Sequence, residues 1–268
     1  MNVVRFSAML LVAGTLPALG QMHYTPSVQR YRLHSTVERA QEMNGDKSSG
    51  VITNEQQVTV ALQAPNGKSA LTDKDTLTFA VTLDSVNMSS SMSVQLPDVS
   101  VMQGTKVSGT MLPSGKVISF KSDTKATDGV DRESIVSSMA HFLLALPPTG
   151  GAGATWTDTA NTNVSSDGNT LKTSTITVSK VLGDTTVAGQ AAWRVHRMST
   201  LIISGTQQQA NQQITMDGTG TGEAMYYIGT NGVYLGSTAT QSMKETVKAA
   251  GMVIPVTQTA KSTVTIIK

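Results

Sequence analysis

Apolar and polar residues alternate along most of this chain, and the alternation predicts strands. Tyr31, Leu33, Ser35 and Val37 fall on one face, with Arg30, Arg32, His34, Thr36 and Glu38 on the other; this is the period of two expected of a strand with one wet side. The cluster Asn44-Gly45-Asp46, followed by Ser48-Ser49-Gly50, predicts a reversal. Val51 to Gln63, with Val58, Val60 and Leu62 in register, reads as the partner strand, and Pro65-Asn66-Gly67 as the next turn. Leu77, Phe79, Val81 and Leu83 alternate with Thr78, Ala80, Thr82 and Asp84 in the clearest strand of the N-terminal half. Met88 to Val101 reads as a loop with one short helical turn. Lys106 to Leu112 and Lys116 to Lys121 predict a hairpin around Pro113-Ser114-Gly115.

One segment changes period. Ile135, Val136, Met139, Phe142, Leu143 and Leu146 recur at helical spacing behind a capping Asp128 or Asp131, and Pro147-Pro148 supplies a stop. Beyond Gly150-Gly151-Ala152-Gly153 the pattern returns to strands. Leu171 to Leu182 precedes a turn at Gly183-Asp184. Ala191 to Ser204 carries Trp193, Val195 and Arg197 on one face, and Gln207 to Gln213 reads as a polar hairpin tip. Met225 to Ile228 and Val233 to Leu235 flank a turn at Thr230-Asn231-Gly232. Gln241 to Lys248 and Val253 to Ile267, the latter interrupted or bent near Pro255, close the chain.

The expected fold is therefore all-β, mainly antiparallel, with long curved strands in two similar half-barrel-like halves and one central helix. The halves are residues 21–148, ending in the helix, and 149–268. The pieces Ser108-Gly109-Thr110-Met111 and Thr221-Gly222-Glu223-Ala224-Met225, each leading through a glycine turn into a β-rich stretch, suggest an internal duplication.

Residues 1–20 read as a signal peptide. Arg5 supplies the positive start, Phe6 to Leu16 is an apolar run too short to span a bilayer, and Ala18-Leu19-Gly20 places small residues at a cleavage site. The expectation is an exported protein, soluble in the periplasm or outside the cell. The sequence of 268 residues has no cysteine, so disulfides, thiolate metal sites and a lipid-attachment cysteine are excluded. No later segment approaches the apolar length of a membrane span. With a formal net charge of +2 and scattered basic residues, no phosphate-binding face forms, and nucleic acid is not expected as a partner.

The chain resembles a family of uncharacterised secreted proteins and lipoproteins of Gram-negative bacteria. The resemblance rests on the long Thr/Gln-rich first hairpin, the stretch Leu77 to Met88, a helix ending in Leu146-Pro147-Pro148, and Gly153-Ala154-Thr155-Trp156. The last is similar to the family's Gly-Asp-x-Trp step, with Ala154 where its acidic residue stands. More loosely, long curved antiparallel strands with an accompanying helix are similar to the lipoprotein-localisation (Lol) carriers, whose half-barrels hold acyl chains. Neither resemblance implies a catalytic activity, and likeness of architecture does not set function.

Candidate chemistry is sparse. His34 and His196 share strand faces with Arg32 and Arg194 and read as interstrand or solvated polar residues. His141 lies at helical spacing from Ser137 and Ser138, with no Gly-x-Ser-x-Gly elbow to complete a nucleophile site. No metal-ligand spacing occurs; Asp73-Lys74-Asp75 is an acidic turn. Asp217-Gly218-Thr219-Gly220-Thr221-Gly222 lacks the Gly-Lys-Ser/Thr of a phosphate loop, so its glycines read as sites of bending or close packing. No catalytic, cofactor or metal site is expected.

Methionine is the one compositional signal. Of 14 methionines, Met1 and Met9 precede the cleavage site. The others either fill a core poor in aromatics or line an adaptable apolar pocket. On the pocket reading the ligand-binding residues are Met88, Met111, Met139, Phe142, Met198 and Met225. The expected function is a non-catalytic envelope protein that binds or carries a hydrophobic ligand such as a lipid or acyl chain. The alternatives are an interaction module that pairs with another envelope protein through a sheet edge, and a hydrolase with an unrecognised site.

Overall fold

The computed structural model describes residues 22–267, except 44, 66–70, 73, 92–97, 124–135, 137, 141, 148–150, 167–168, 210–211 and 250. The signal segment and the segment's capping aspartates lie outside the described residues. The alternating segments become eleven strands: β1 (Ser27–Met43), β2 (Asp46–Gln63), β3 (Leu77–Ser90), β4 (Lys106–Met111), β5 (Val117–Ser122), β6 (Thr155–Ser166), β7 (Asn169–Val187), β8 (Gln190–Gln209), β9 (Gln212–Gly229), β10 (Tyr234–Ala249) and β11 (Met252–Ile267). All pairings are antiparallel, in one sheet of order β5-β4-β3-β2-β1-β11-β10-β9-β8-β7-β6. The two sequence halves thus join in a single sheet, where β1 pairs with β11 from Arg30↔Ile267 to Gln41↔Val256. The sheet does not close, because β5 and β6 have no strand partner on their outer sides among the described residues.

Two hydrogen bonds establish how strongly the sheet curves. The Tyr24 backbone N–H donates to the Pro113 carbonyl in the β4–β5 turn at 2.7 Å, and that of Thr25 to the Gly232 carbonyl in the β9–β10 turn at 3.3 Å. Strands β4 and β10 are five steps apart in the sheet order, or about 24 Å if the sheet were flat. Two adjacent residues bridge that gap, so the sheet is rolled at this end and the segment before β1 staples the roll.

The inner face of the rolled end holds the core. Tyr31, Val58, Leu83 and Val81 from β1–β3, Val107 and Met111 from β4, Val181 from β7, Val195 from β8 and Ile228 from β9 are buried together. Tyr24 and the segment around 136–146, with Val136, Met139, Ala140, Leu144 and Leu146 buried, fill the inside. Further along the strands the same face is open among the described residues. The hairpins β1–β2, β6–β7, β8–β9 and β10–β11 extend there beyond the core, with residues such as Glu38, Arg39 and Ala40 exposed.

Several expectations need correction. Among the described residues the central helix does not reach Leu146: Val136 and residues 138–140 are helical, whereas Phe142, Leu143 and Leu146 are not. Tertiary bonds displace helical ones, since Leu146 N–H donates to the Ser114 carbonyl at 2.6 Å and Tyr24 Oη to the Leu144 carbonyl at 3.0 Å. A 3-10 turn at Val99–Met102 accounts for the helical turn expected in that stretch, but Met88 lies inside β3. Ser48-Ser49-Gly50 is part of β2, because Met43 pairs directly with Asp46 and the reversal needs no further residues. Gly183-Asp184 continues β7 after a β-bulge between Val181 and Gly183, and the turn falls at Ala188 and Gly189, both with positive φ. A glycine inside a strand pattern commonly marks such a bulge. Strand β11 passes through Pro255 unbroken; β1 pairing ends at Val256, next to the residue without an N–H.

Candidate functional site

Strand alternation carries the inner face beyond the core. Val195 is buried inside, so Arg197 and Ser199 continue its face on β8. The register places Ser179 and Thr177 of β7, Ala224 and Gly222 of β9, and Ala239 and Gln241 of β10 beside them. Across β11 and β1 the same level continues through Ser262, Ser35 and Asn54 to Met88. The wall is therefore built mainly of small and hydroxyl-bearing side chains, which leaves space inside the curve.

One cross-strand row on this wall is chemically distinct. Trp156 of β6 lies opposite Ser179, and Ser179 opposite Arg197. Trp156 Nε1, Ser179 Oγ and Arg197 Nε are each buried without a hydrogen-bond partner. Asn54 Oδ1, also buried and unpartnered, belongs to the same row across the sheet. Each such group costs about 1–3 kcal/mol relative to a satisfied one, and native proteins keep few of them. The Arg197 guanidinium lies 5.6 Å from the centre of the Tyr226 ring, a cation–π contact. Arg197, Tyr226, Thr177, Ser199 and Ala239 line a hollow of about 200 Å³ on the open part of the face.

At the border with the core stands an aromatic cluster. Tyr31 and Phe142 are 5.3 Å apart between ring centres, Tyr31 and Tyr234 5.3 Å, Phe142 and Tyr234 5.7 Å, and Tyr226 and Tyr234 6.2 Å. Tyr31 Oη donates to the Tyr234 carbonyl at 2.9 Å, and Tyr234 Oη to Ser237 Oγ at 2.7 Å. Burial raises the pKa of Tyr24, Tyr31 and Tyr234 above the ordinary tyrosine value, because the phenolate would lose its hydration.

The six residues expected to line a pocket do not come together. Met111 and Met139 are core residues and Phe142 packs against the core. Met88 is half-buried on the inner wall opposite Asn54. Met198 and Met225 occupy the opposite face: Met225 is half-buried and Met198 is 56 % exposed. Strand parity explains this, because Val195 and Arg197 point inward and Met198 must then point out. The row of Trp156, Ser179 and Arg197 was missed; its signal would have been strand register, which one sequence does not supply.

The remaining candidates lie elsewhere. His34 Nδ1 is 3.4 Å from Glu55 on β2, and His196 Nε2 2.8 Å from Glu223 on β9, both cross-strand pairs on the outer face. The interstrand reading of these histidines holds. His141 and Ser137 lie outside the described residues, as does Asp73. Asp75 caps its turn by accepting from Thr72 N–H and Oγ1. Asp217 to Gly222 sits within β9, so it is no phosphate loop. A Cβ on Gly218 would crowd Glu245 and Ile203, and one on Gly220 the Ser242 carbonyl, so close packing accounts for these glycines. Among the described residues no helix is long and apolar enough to cross a membrane.

No family model matches the chain, and no curated protein matches it. Among solved structures, one described as "Asymmetric conductivity of engineered proteins" aligns over 90 % of this chain and 100 % of its own, with 9 % identity and a TM-score of 0.24. A Vibrio parahaemolyticus domain described as an outer membrane lipoprotein-sorting protein aligns over 85 % of this chain and 82 % of its own, with 10 % identity and a TM-score of 0.15. At these scores neither likeness bears on what this chain binds.

Proposed function

We propose that this is a non-catalytic exported envelope protein that binds or carries a hydrophobic ligand, a lipid or an acyl chain, on the inner face of its rolled sheet. The observation that carries the reading is the division of that face. One end is packed around an aromatic and aliphatic core, and the rest is a wall of small side chains, uncovered among the described residues and bordered by Tyr226, Val86 and Leu33. An alkyl chain gains about 0.8 kcal/mol for each methylene that it buries against that apolar border. The aromatic border gives the tail an apolar end to rest on.

Native mass spectrometry of protein purified gently from its own envelope, followed by lipid extraction, tests this. A stoichiometric lipid that dissociates on extraction is the expected outcome. Protein that stays bare after incubation with envelope lipids overturns the reading. A second reading has one specific observation in its favour. Strand β6 is an edge of 12 residues without lysine or proline, the devices that usually protect an edge. Pairing of another envelope protein along β6 would appear as crosslinks at Thr157, Thr159 or Asn161.

A further inference from the structure

Three hydrogen-bond donors that nothing in the fold satisfies stand side by side on β6, β7 and β8. Trp156 Nε1 is a donor only, Arg197 Nε is a donor only, and Ser179 Oγ donates or accepts. All three are buried and unpartnered, and Ser179 is 0 % exposed. They are consecutive in the cross-strand register, so neighbours are separated by about 5 Å. The group that complements them is rich in acceptor oxygens and negatively charged. Arg197 also lines the hollow on the open wall, and Ser179 and Trp156 follow it in the cross-strand row. The guanidinium lies over the Tyr226 ring, 5.6 Å from its centre. The nearest acid on this face of β6, Asp158, is exposed and pairs in register with Thr177, one level away from the row.

We infer that Arg197, with Ser179 and Trp156, binds the carboxylate or phosphate oxygens of an amphiphile's head group, while its tail lies along the small-residue wall past Ala224 and Ala239. This rests on the hydrophobic-ligand reading and adds to it a polarity: an anionic amphiphile is held, and a neutral one of equal length is not held as well. Charge-assisted bonds to a fixed guanidinium are strong and directional.

The test is isothermal titration calorimetry of the mature protein with dodecanoate, dodecanol and inorganic phosphate, on wild type, Arg197→Gln and Ser179→Ala. Circular dichroism reports whether each variant folds. Dodecanoate is expected to bind at least tenfold more tightly than dodecanol. Arg197→Gln should abolish that preference while leaving dodecanol unchanged, and Ser179→Ala, which removes one hydroxyl, should weaken dodecanoate several-fold. If Arg197→Gln does not fold, the Ser179→Ala result decides. Equal binding of dodecanoate and dodecanol, insensitive to both variants, overturns the head-group site and leaves the hydrophobic-ligand reading standing. Phosphate binding lost in Arg197→Gln, with neither amphiphile bound, supports the anion site and overturns the reading it rests on. No binding of any of the three overturns the site.

Discussion

At the scale of single residues, the rolled end depends on buried tyrosines. Tyr24, Tyr31 and Tyr234 each place the hydroxyl on a specific partner, and each has its pKa raised by burial. An unfolded tyrosine ionises near pH 10, so above that pH the folded state holds more protons than the unfolded one. Stability from these groups is complete below about pH 10 and is lost as pH rises beyond it. Urea unfolding followed by circular dichroism should give a lower midpoint at pH 11 than at pH 8, and an unchanged midpoint would refute the account. Tyr24→Phe should cost about 1 kcal/mol at pH 8 through the lost bond to Leu144. The methionines make a second comparison. Met111→Ala should cost about 2–5 kcal/mol because it opens a cavity, whereas the exposed Met198→Ala should stay within about 0.5 kcal/mol. Chemical denaturation of the two variants separates a core methionine from an exposed one.

At the scale of elements, alternation was legible wherever one face is buried. Leu77 to Leu83 and Tyr31 to Val37 were read to the residue, because period two survives in the sequence. The errors arose where glycine or tertiary contacts decide. Gly183 looked like a turn and borders a bulge, and the helical spacing runs on to Leu146 although the Leu144 carbonyl and the Leu146 N–H bond to Tyr24 and Ser114. The candidate site was less legible. Trp193, Val195 and Arg197 were assigned to one face, and the same parity sends Met198 outward, but the neighbours of Arg197 on β7 and β6 depend on pairing across strands. Turns give a further test. Gly232 has φ +77, and a Cβ there would collide with the His23 carbonyl, whereas Gly251 has φ +81 and open space. Gly251→Ala should cost about 1–2 kcal/mol from backbone strain alone, and Gly232→Ala should cost more. Thermal unfolding of the two variants checks the order; equal losses would mean that the staple at residues 23–25 contributes nothing.

At the scale of the whole molecule, the fold consists of two meanders joined where the first strand meets the last. Strands β1 and β11 sit at the middle of the sheet order and β5 and β6 at its borders. Removing residues 252–268 should therefore divide the sheet, leaving β1 and β10 with bare edges. The expected result is loss of a single cooperative transition and rapid cleavage by a protease within β10; a truncated chain that unfolds as one unit would contradict it. The central junction also bears on the order of assembly. Strand β11 is synthesised after the other ten, yet without it the sheet has no centre, and pairings so distant in sequence close slowly. A circular permutant, with β11 linked to the segment before β1 and a new start at Gly151, would build the sheet in spatial order from one border to the other. Its refolding should be faster than that of the natural chain, with the same final register.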